Sequence, residues 1–213
     1  MTGSLKQRAV FLDRDGVLIR TPVRGGTPHP VESAGQVEIL PGVAGALRML
    51  AGHGLARIVV TNQPDVRRGS QTREAVEEIH ARLLRELSLT DIFTCYHDDG
   101  DECACRKPKP GLLLDAARRY DLDLAGSFLV GDRWRDIGAG EAAGCTTFLV
   151  RSGYGRPELC RPDYLVAGMP EAARRIVELL NPDEGSDPRG RLARHGRQGP
   201  DAGTAPFPNP ARP

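Results

Sequence analysis

Three short runs rich in Val, Leu and Phe each lead into a residue able to carry chemistry: AVFL into Asp13, ARIVV into Thr61, and SFLVG into Asp132. Such runs suit strands buried on both faces, as in a parallel sheet. Parallel neighbours need crossover connections, and the stretches between the runs carry helical periodicity. The expected fold is therefore α/β, a doubly wound, Rossmann-like parallel sheet with helices on both faces. In open sheets of this kind ligands bind just beyond the carboxyl ends of the strands. Strands at Ala9–Leu12, Ala56–Val60 and Ser127–Val130 would deliver Asp13, Thr61 and Asp132 to one crevice.

The helices have local punctuation. Pro41-Gly42 opens one that runs to about Gly52, with Val43, Leu47 and Leu50 on one face. Thr72 is an N-cap for a second, to about Leu87, with Val76, Ile79 and Leu83 as its buried stripe. Gly111–Tyr120 and Asp136–Ala143 read as helices, the latter stopped by Gly144. Pro170–Leu180 closes the series, with Ala172, Ile176 and Leu179 packing on the sheet. Asp91–Tyr96 and Thr146–Val150 supply further strands, and Cys145 leads into the second as a small buried hydrophobe. His53 and His80 are expected at the surface or as caps, and Cys160 has no assigned role.

Residues 1–181 make one domain, in which the Asp15–Pro41 and Thr61–Lys107 intervals are too short for a separate cap domain. Residues 182–213 are rich in Gly, Pro, Arg and Asp and poor in large apolar side chains. Such a tail cannot bury enough surface to offset the entropy of ordering, so it is expected to be disordered.

Asp13 and Asp15 lie one residue apart, so in an extended segment both face the same way. With Asp132 they form an oxygen set suited to Mg²⁺, which is ordinarily held by one or two carboxylates, waters and substrate phosphate. Lys107, in RKPKPG, offers a point charge to phosphoryl oxygens. A single Asp after a strand is ordinarily a turn former or helix cap. Here DxDG, Thr-Asn after a strand, Lys-Pro-Lys-Pro and GDxxxD occur in one order, and that conjunction points to Mg²⁺-dependent phosphate transfer.

Cys95, His97, Cys103 and Cys105 place three thiols and an imidazole within eleven residues, just ahead of Lys107. That is a complete donor set for tetrahedral zinc, although zinc fingers commonly space their paired cysteines more widely. The alternatives are a disulfide or scattered free thiols. Cysteines separated by one residue bridge poorly, and MTGSLKQR is too short and polar to read as a signal peptide for an oxidising compartment.

FLDRDGVL, VVTNQ, CRKPKPG and VGDRWRD resemble the four motifs of the haloacid dehalogenase superfamily of phosphatases and phosphotransferases. The likeness is strongest to its group of histidinol phosphatases and heptose 1,7-bisphosphate 7-phosphatases, and covers about residues 8–155. It implies that Asp13 is a nucleophile forming an aspartyl phosphate, and that Asp15 protonates the leaving oxygen and then activates water. It also implies Mg²⁺ bound by Asp13, the Asp15 carbonyl and Asp132, with Asp136 positioning Lys107 or the waters of the metal. Thr61, Asn62, Gln63 and Lys107 would hold substrate, and a C-x-H and C-x-C pair strengthens the expectation of structural zinc. Arg106 and Arg133 either bind a second anionic group or make plain surface ion pairs.

The sequence departs from that group at Pro64 and Asp65, which follow TNQ where Ser-Gly-Ile is usual; Asp65 either repels a misplaced phosphate or binds sugar hydroxyls. The implied substrate is a sugar bisphosphate, with histidinol phosphate or another small metabolite as the alternative. A non-catalytic zinc-containing interaction module is a third reading. Net charge of +1 and 5% aromatic residues disfavour a nucleic-acid surface. With no apolar run of membrane-spanning length, the expectation is a cytoplasmic monomer.

Overall fold

The computed structural model describes residues 6–152 and 157–181; the expected disordered tail at 182–213 lies outside them. In chain order the elements are β1 (Ala9–Leu12), β2 (Val23–Arg24), β3 (Thr27–Pro28), α1 (Val43–Gly52), β4 (Ala56–Asn62), α2 (Arg73–Glu86) and β5 (Asp91–Cys95). There follow α3 (Gly111–Tyr120), β6 (Phe128–Gly131), α4 (Trp134–Ala143), β7 (Thr146–Val150), β8 (Tyr164–Val166) and α5 (Met169–Leu180). Six strands form a parallel sheet in the order β5-β4-β1-β6-β7-β8, and β2 and β3 pair as a small antiparallel hairpin.

Strand alternation divides the core in two. Val10 and Leu12 of β1 join Val59, Val130 and Phe148 on the face covered by α1, α2 and α5, where Leu47, Ile79 and Ile176 are buried. Ala9 and Phe11 join Ile58, Val60 and Leu129 on the other face, against Leu112, Leu113 and Ala116 of α3 and Ala139 of α4. The order reverses beside β1, with β4 on one side and β6 on the other. That is the switch point at which a crevice opens above the strand ends.

Several sequence expectations change. The structure adds β8, whose Tyr164 ring stacks on Phe148 at 4.8 Å between centroids. The segment after Asp15 folds back as the β2–β3 hairpin, with Gly25 and Gly26 at φ 59° and 77°. Leu179 is exposed, and α5 instead buries Met169, Ala172, Ala173 and Ile176. His80 is buried, not superficial, because it shares the α2 face of Val76 and Leu83. His53 is exposed at the C-cap of α1, and Cys145 is buried immediately before β7, both as expected.

Candidate active site

The carboxyl ends of β1, β4 and β6 place their following residues together. Asp13 leaves β1 with its amide still donating to the Val130 carbonyl (2.9 Å). Thr61 is the penultimate residue of β4, and Asp132 follows Gly131 at the end of β6. A side chain at Gly131 would meet Asp136 Cβ at 2.1 Å. Glycine there lets the first turn of α4 close against the strand end, where Asp136 Oδ2 accepts from the Arg133 amide (3.0 Å).

Lys107 comes from the loop between β5 and α3 and is held by a two-way amide clip. Asn62 Nδ2 donates to the Lys107 carbonyl, and the Lys107 amide donates to Asn62 Oδ1, each at 3.1 Å. The buried ammonium donates to Asp13 Oδ1 (2.7 Å), Asp136 Oδ1 (2.5 Å) and the Val60 carbonyl (2.7 Å). Burial would lower its pKa, but the charges of Asp13 and Asp136 outweigh it and hold Lys107 above the ordinary lysine value. Burial pushes the Asp13 carboxyl up to about 6, against the downward pull of Lys107 and with smaller upward contributions from Asp136 and Asp15.

Carboxylate oxygens of Asp13, Asp132 and Asp136 lie within 4.8 Å of one another, and all three residues are buried. Lys107 bonds two of these acids and Arg133 approaches the third, so three buried carboxylates still gather around one point, a donor set that suits an oxygen-preferring divalent cation. Asp13 and Asp132 of the expected set are in this group, joined by Asp136, whose expected role is to position Lys107 or the waters of the metal. The Asp15 carboxylate is engaged elsewhere, its expected contribution to the metal being its backbone carbonyl. Asp15 Oδ2 accepts from Arg14 Nε and Gln63 Nε2, each at 3.0 Å. Gln63 Nε2 also donates to Thr61 Oγ1 (2.9 Å), which leaves the Thr61 hydroxyl proton available to a ligand.

Above these groups is a cleft of about 520 Å³ whose floor includes Asp13, Asp15 and Lys107, and whose walls include His29, Asp65 and Trp134. A larger hollow of about 840 Å³ lies among Gln7, His53 and Asp123, away from the strand-end acids. Asp13, Lys107 and Asp136 line the smaller cleft, so chemistry, not volume, marks it as the site.

The Cys/His loop forms one rim. Ligand atoms of Cys95, His97, Cys103 and Cys105 lie within 4.8 Å of one another. Sulfur separations run 3.3 Å for Cys95–Cys105, 3.5 Å for Cys103–Cys105 and 3.7 Å for Cys95–Cys103. His97 Nδ1 is 3.6 Å from Cys95 Sγ and 3.4 Å from Cys105 Sγ. A tetrahedral metal with bonds to sulfur of about 2.3 Å has edges of about 3.8 Å, so the four donors suit one metal ion. Burial raises the Cys95 thiol pKa, a penalty that a bound cation would reverse. A Cβ at Gly111 would meet the Ala104 carbonyl oxygen at 2.3 Å, so this loop packs directly on the start of α3.

Arg106 Nε donates to Asp99 Oδ1 (2.8 Å), and its Nη1 donates to the His97 carbonyl (3.0 Å). Arg135 also grips Asp99, donating to its two oxygens at 2.7 and 3.3 Å. Arg135 and then Arg106 hold the Asp99 carboxyl well below the usual range, against the effect of burial. Arg133 is partly exposed on the cleft wall, its Nε 3.8 Å from Asp132 Oδ1. Asp65 turns inward on its own loop and accepts from Ser70 Oγ (3.0 Å). Arg14, fully buried beside Asp15, is a site residue that the motifs do not mark.

A family profile described as HAD-hydrolase-like matches residues 104–172, the part holding Lys107, Asp132 and Asp136. A D-glycero-beta-D-manno-heptose-1,7-bisphosphate 7-phosphatase of Bordetella bronchiseptica is 38% identical over 177 residues, covering 81% of this chain and 93% of that protein. The chain belongs to the haloacid dehalogenase-like hydrolases. A relative of the same name from Escherichia coli K12 is 37% identical over 158 residues, spanning 68% of this chain and 80% of that one. Among solved structures, the D,D-heptose 1,7-bisphosphate phosphatase of B. bronchiseptica, complexed with magnesium and phosphate, superposes with a TM-score of 0.69 at 33% identity. That match covers 81% of this chain and 99% of the other. This haloacid dehalogenase-like hydrolase is a phosphatase by that kinship.

Proposed function

We propose that the enzyme hydrolyses the 7-phosphate of D-glycero-D-manno-heptose 1,7-bisphosphate through an aspartyl-phosphate intermediate. The observation that carries this reading is Asp13, buried at the end of β1, bonded to Lys107 and grouped with Asp132 and Asp136, in a chain similar to heptose bisphosphatases along most of its length.

Asp13 attacks phosphorus in line, and the leaving sugar oxygen takes a proton from Asp15. Asp15 then removes a proton from the water that releases phosphate from Asp13. Lys107 and the Thr61 hydroxyl stabilise the phosphoryl oxygens, while the Asn62 clip keeps Lys107 in register with β4. Asp136 fixes the ammonium from the opposite side. Asp13, Asp132 and the Asp15 carbonyl would hold Mg²⁺, which supplies charge neutralisation between the anionic nucleophile and an anionic substrate. Cys95, His97, Cys103 and Cys105 would hold a structural zinc that pins the loop presenting Arg106 and Lys107. Arg133, on the cleft wall, is suited to a second phosphate, and Arg106 contributes through its fixed place in the rim. No helix among the described residues is long and apolar enough to cross a membrane; we place the enzyme in the cytoplasm as a monomer.

The test is phosphate release with Mg²⁺ from both heptose 1,7-bisphosphate anomers, fructose 1,6-bisphosphate and histidinol phosphate, with Asp13→Asn as blank. Turnover concentrated on one heptose anomer and lost in the blank is the expected result. Preference for histidinol phosphate would replace the substrate assignment, and absence of Asp13-dependent turnover would favour a non-catalytic module.

A further inference from the structure

Arg14 is the largest fully buried side chain among the described residues, an unusual place for a permanent charge. Burying a guanidinium is costly unless its donors are met in good geometry. Here Nε donates to Asp15 Oδ2 (3.0 Å) and Nη2 donates to Asp15 Oδ1 (3.3 Å), a two-point grip that fixes the plane of the carboxylate. Nη1 donates to His80 Nε2 (3.2 Å) across a sequence separation of 66 residues. Arginine has no acceptor, so His80 Nε2 must offer its lone pair and the ring proton must sit on Nδ1. Nδ1 faces Glu77 Oε2 at 3.8 Å, and Glu77 Oε1 accepts from the Tyr96 hydroxyl (2.5 Å).

We infer that Arg14 and His80 are a buried positioning pair that orients the Asp15 carboxylate for proton transfer to and from the reacting oxygens. His80, anchored in α2, stops the guanidinium from rotating; Arg14 in turn stops the carboxylate from rotating. Neither touches substrate. Both act through Asp15, and the inference rests on the acid–base role proposed for that residue.

The test separates the two claims by leaving group. The parameter kcat/KM reports steps through the first departure, and a p-nitrophenolate leaves without much protonic help, whereas a sugar alkoxide needs it. The variants are Asp15→Asn, Arg14→Lys, His80→Leu and His80→Gln, each assayed on heptose 1,7-bisphosphate and p-nitrophenyl phosphate. Arg14→Lys and His80→Leu are expected to lose about 10- to 100-fold on the sugar substrate and under about threefold on the aryl one, as misplacement of a reacting group predicts. His80→Gln, which retains an acceptor, is expected to recover to within about threefold of wild type on both. Equal losses on both substrates for Arg14→Lys and His80→Leu, or no loss, while Asp15→Asn still discriminates, would overturn the positioning pair and leave the role of Asp15 standing. Failure of Asp15→Asn to discriminate would overturn both. If Arg14→Lys does not fold, the contrast between His80→Leu and His80→Gln decides by the same criterion.

Discussion

The two candidate metal clusters are built in opposite ways. Asp13, Asp132 and Asp136 come from segments more than a hundred residues apart and meet only because β1 and β6 are neighbours in the sheet. Cys95, His97, Cys103 and Cys105 come from eleven consecutive residues in a connection with little apolar core of its own. The first cluster is therefore assembled by the sheet itself, whereas the second, on the proposed reading, relies on zinc to pin its loop. Lys107, clipped to β4 by Asn62 yet following directly on the Cys/His loop, is where the two regions meet.

That contrast predicts different failures. Asp13→Asn should lower kcat by at least about 10⁴-fold, as loss of a nucleophile does, with Tm no lower than wild type. A Tm drop accompanying the loss would show that the acid cluster depends on its charges for assembly. Cys105→Ser should bind less than one equivalent of zinc, melt at lower temperature and lose about 10- to 100-fold in kcat as Lys107 loosens. Removal of one equivalent of zinc by chelator without change in Tm or turnover would end the structural role. Mg²⁺ withdrawal, by comparison, should abolish turnover reversibly and leave the circular dichroism unchanged.

His80 sharpens the comparison by pH. Burial, and next the charge of Arg14, push its pKa down to about 4, so the folded ring is neutral. An unfolded histidine titrates near about 6.5, and between the two values the unfolded chain binds the extra proton. The neutral buried ring thus stabilises the fold fully above about pH 6.5, and that contribution is lost as pH falls towards 4. The difference in urea unfolding free energy between wild type and His80→Gln should shift by up to about 3 kcal/mol, against the wild type, from pH 7 to 4. A pH-independent difference would contradict a neutral buried ring. The smallest effect is expected from deleting residues 183–213, which should leave turnover within about twofold.

The strand ends were readable because a parallel sheet leaves a distinct mark: an apolar run that stops at a polar residue. β1, β4 and β6 each show it, and backbone connectivity alone brings Asp13, Thr61 and Asp132 together. β8 is only three residues long, and its registration depends on Asp163 accepting from the Thr147 amide (2.9 Å) and hydroxyl (3.0 Å), a tertiary fact with no local pattern. Gly25-Gly26 did carry a hairpin signal, in a two-residue connection between Arg24 and Thr27. His80 carried one too, four residues after Val76 and three before Leu83 on the buried stripe. The contact of Asp136 with Lys107 was legible through GDxxxD, whereas the grip of Arg14 and Gln63 on the Asp15 carboxylate was not, because it depends on side-chain rotamers fixed only in the folded chain.

The central claim, that Asp13 carries the phosphoryl group between substrate and water, is tested most directly by the stereochemical course at phosphorus. With a 7-phosphate made chiral by oxygen isotopes or sulfur, transfer to Asp13 and then to water is two in-line displacements and predicts net retention of configuration. Inversion would mean that water attacks the substrate directly and would contradict the account.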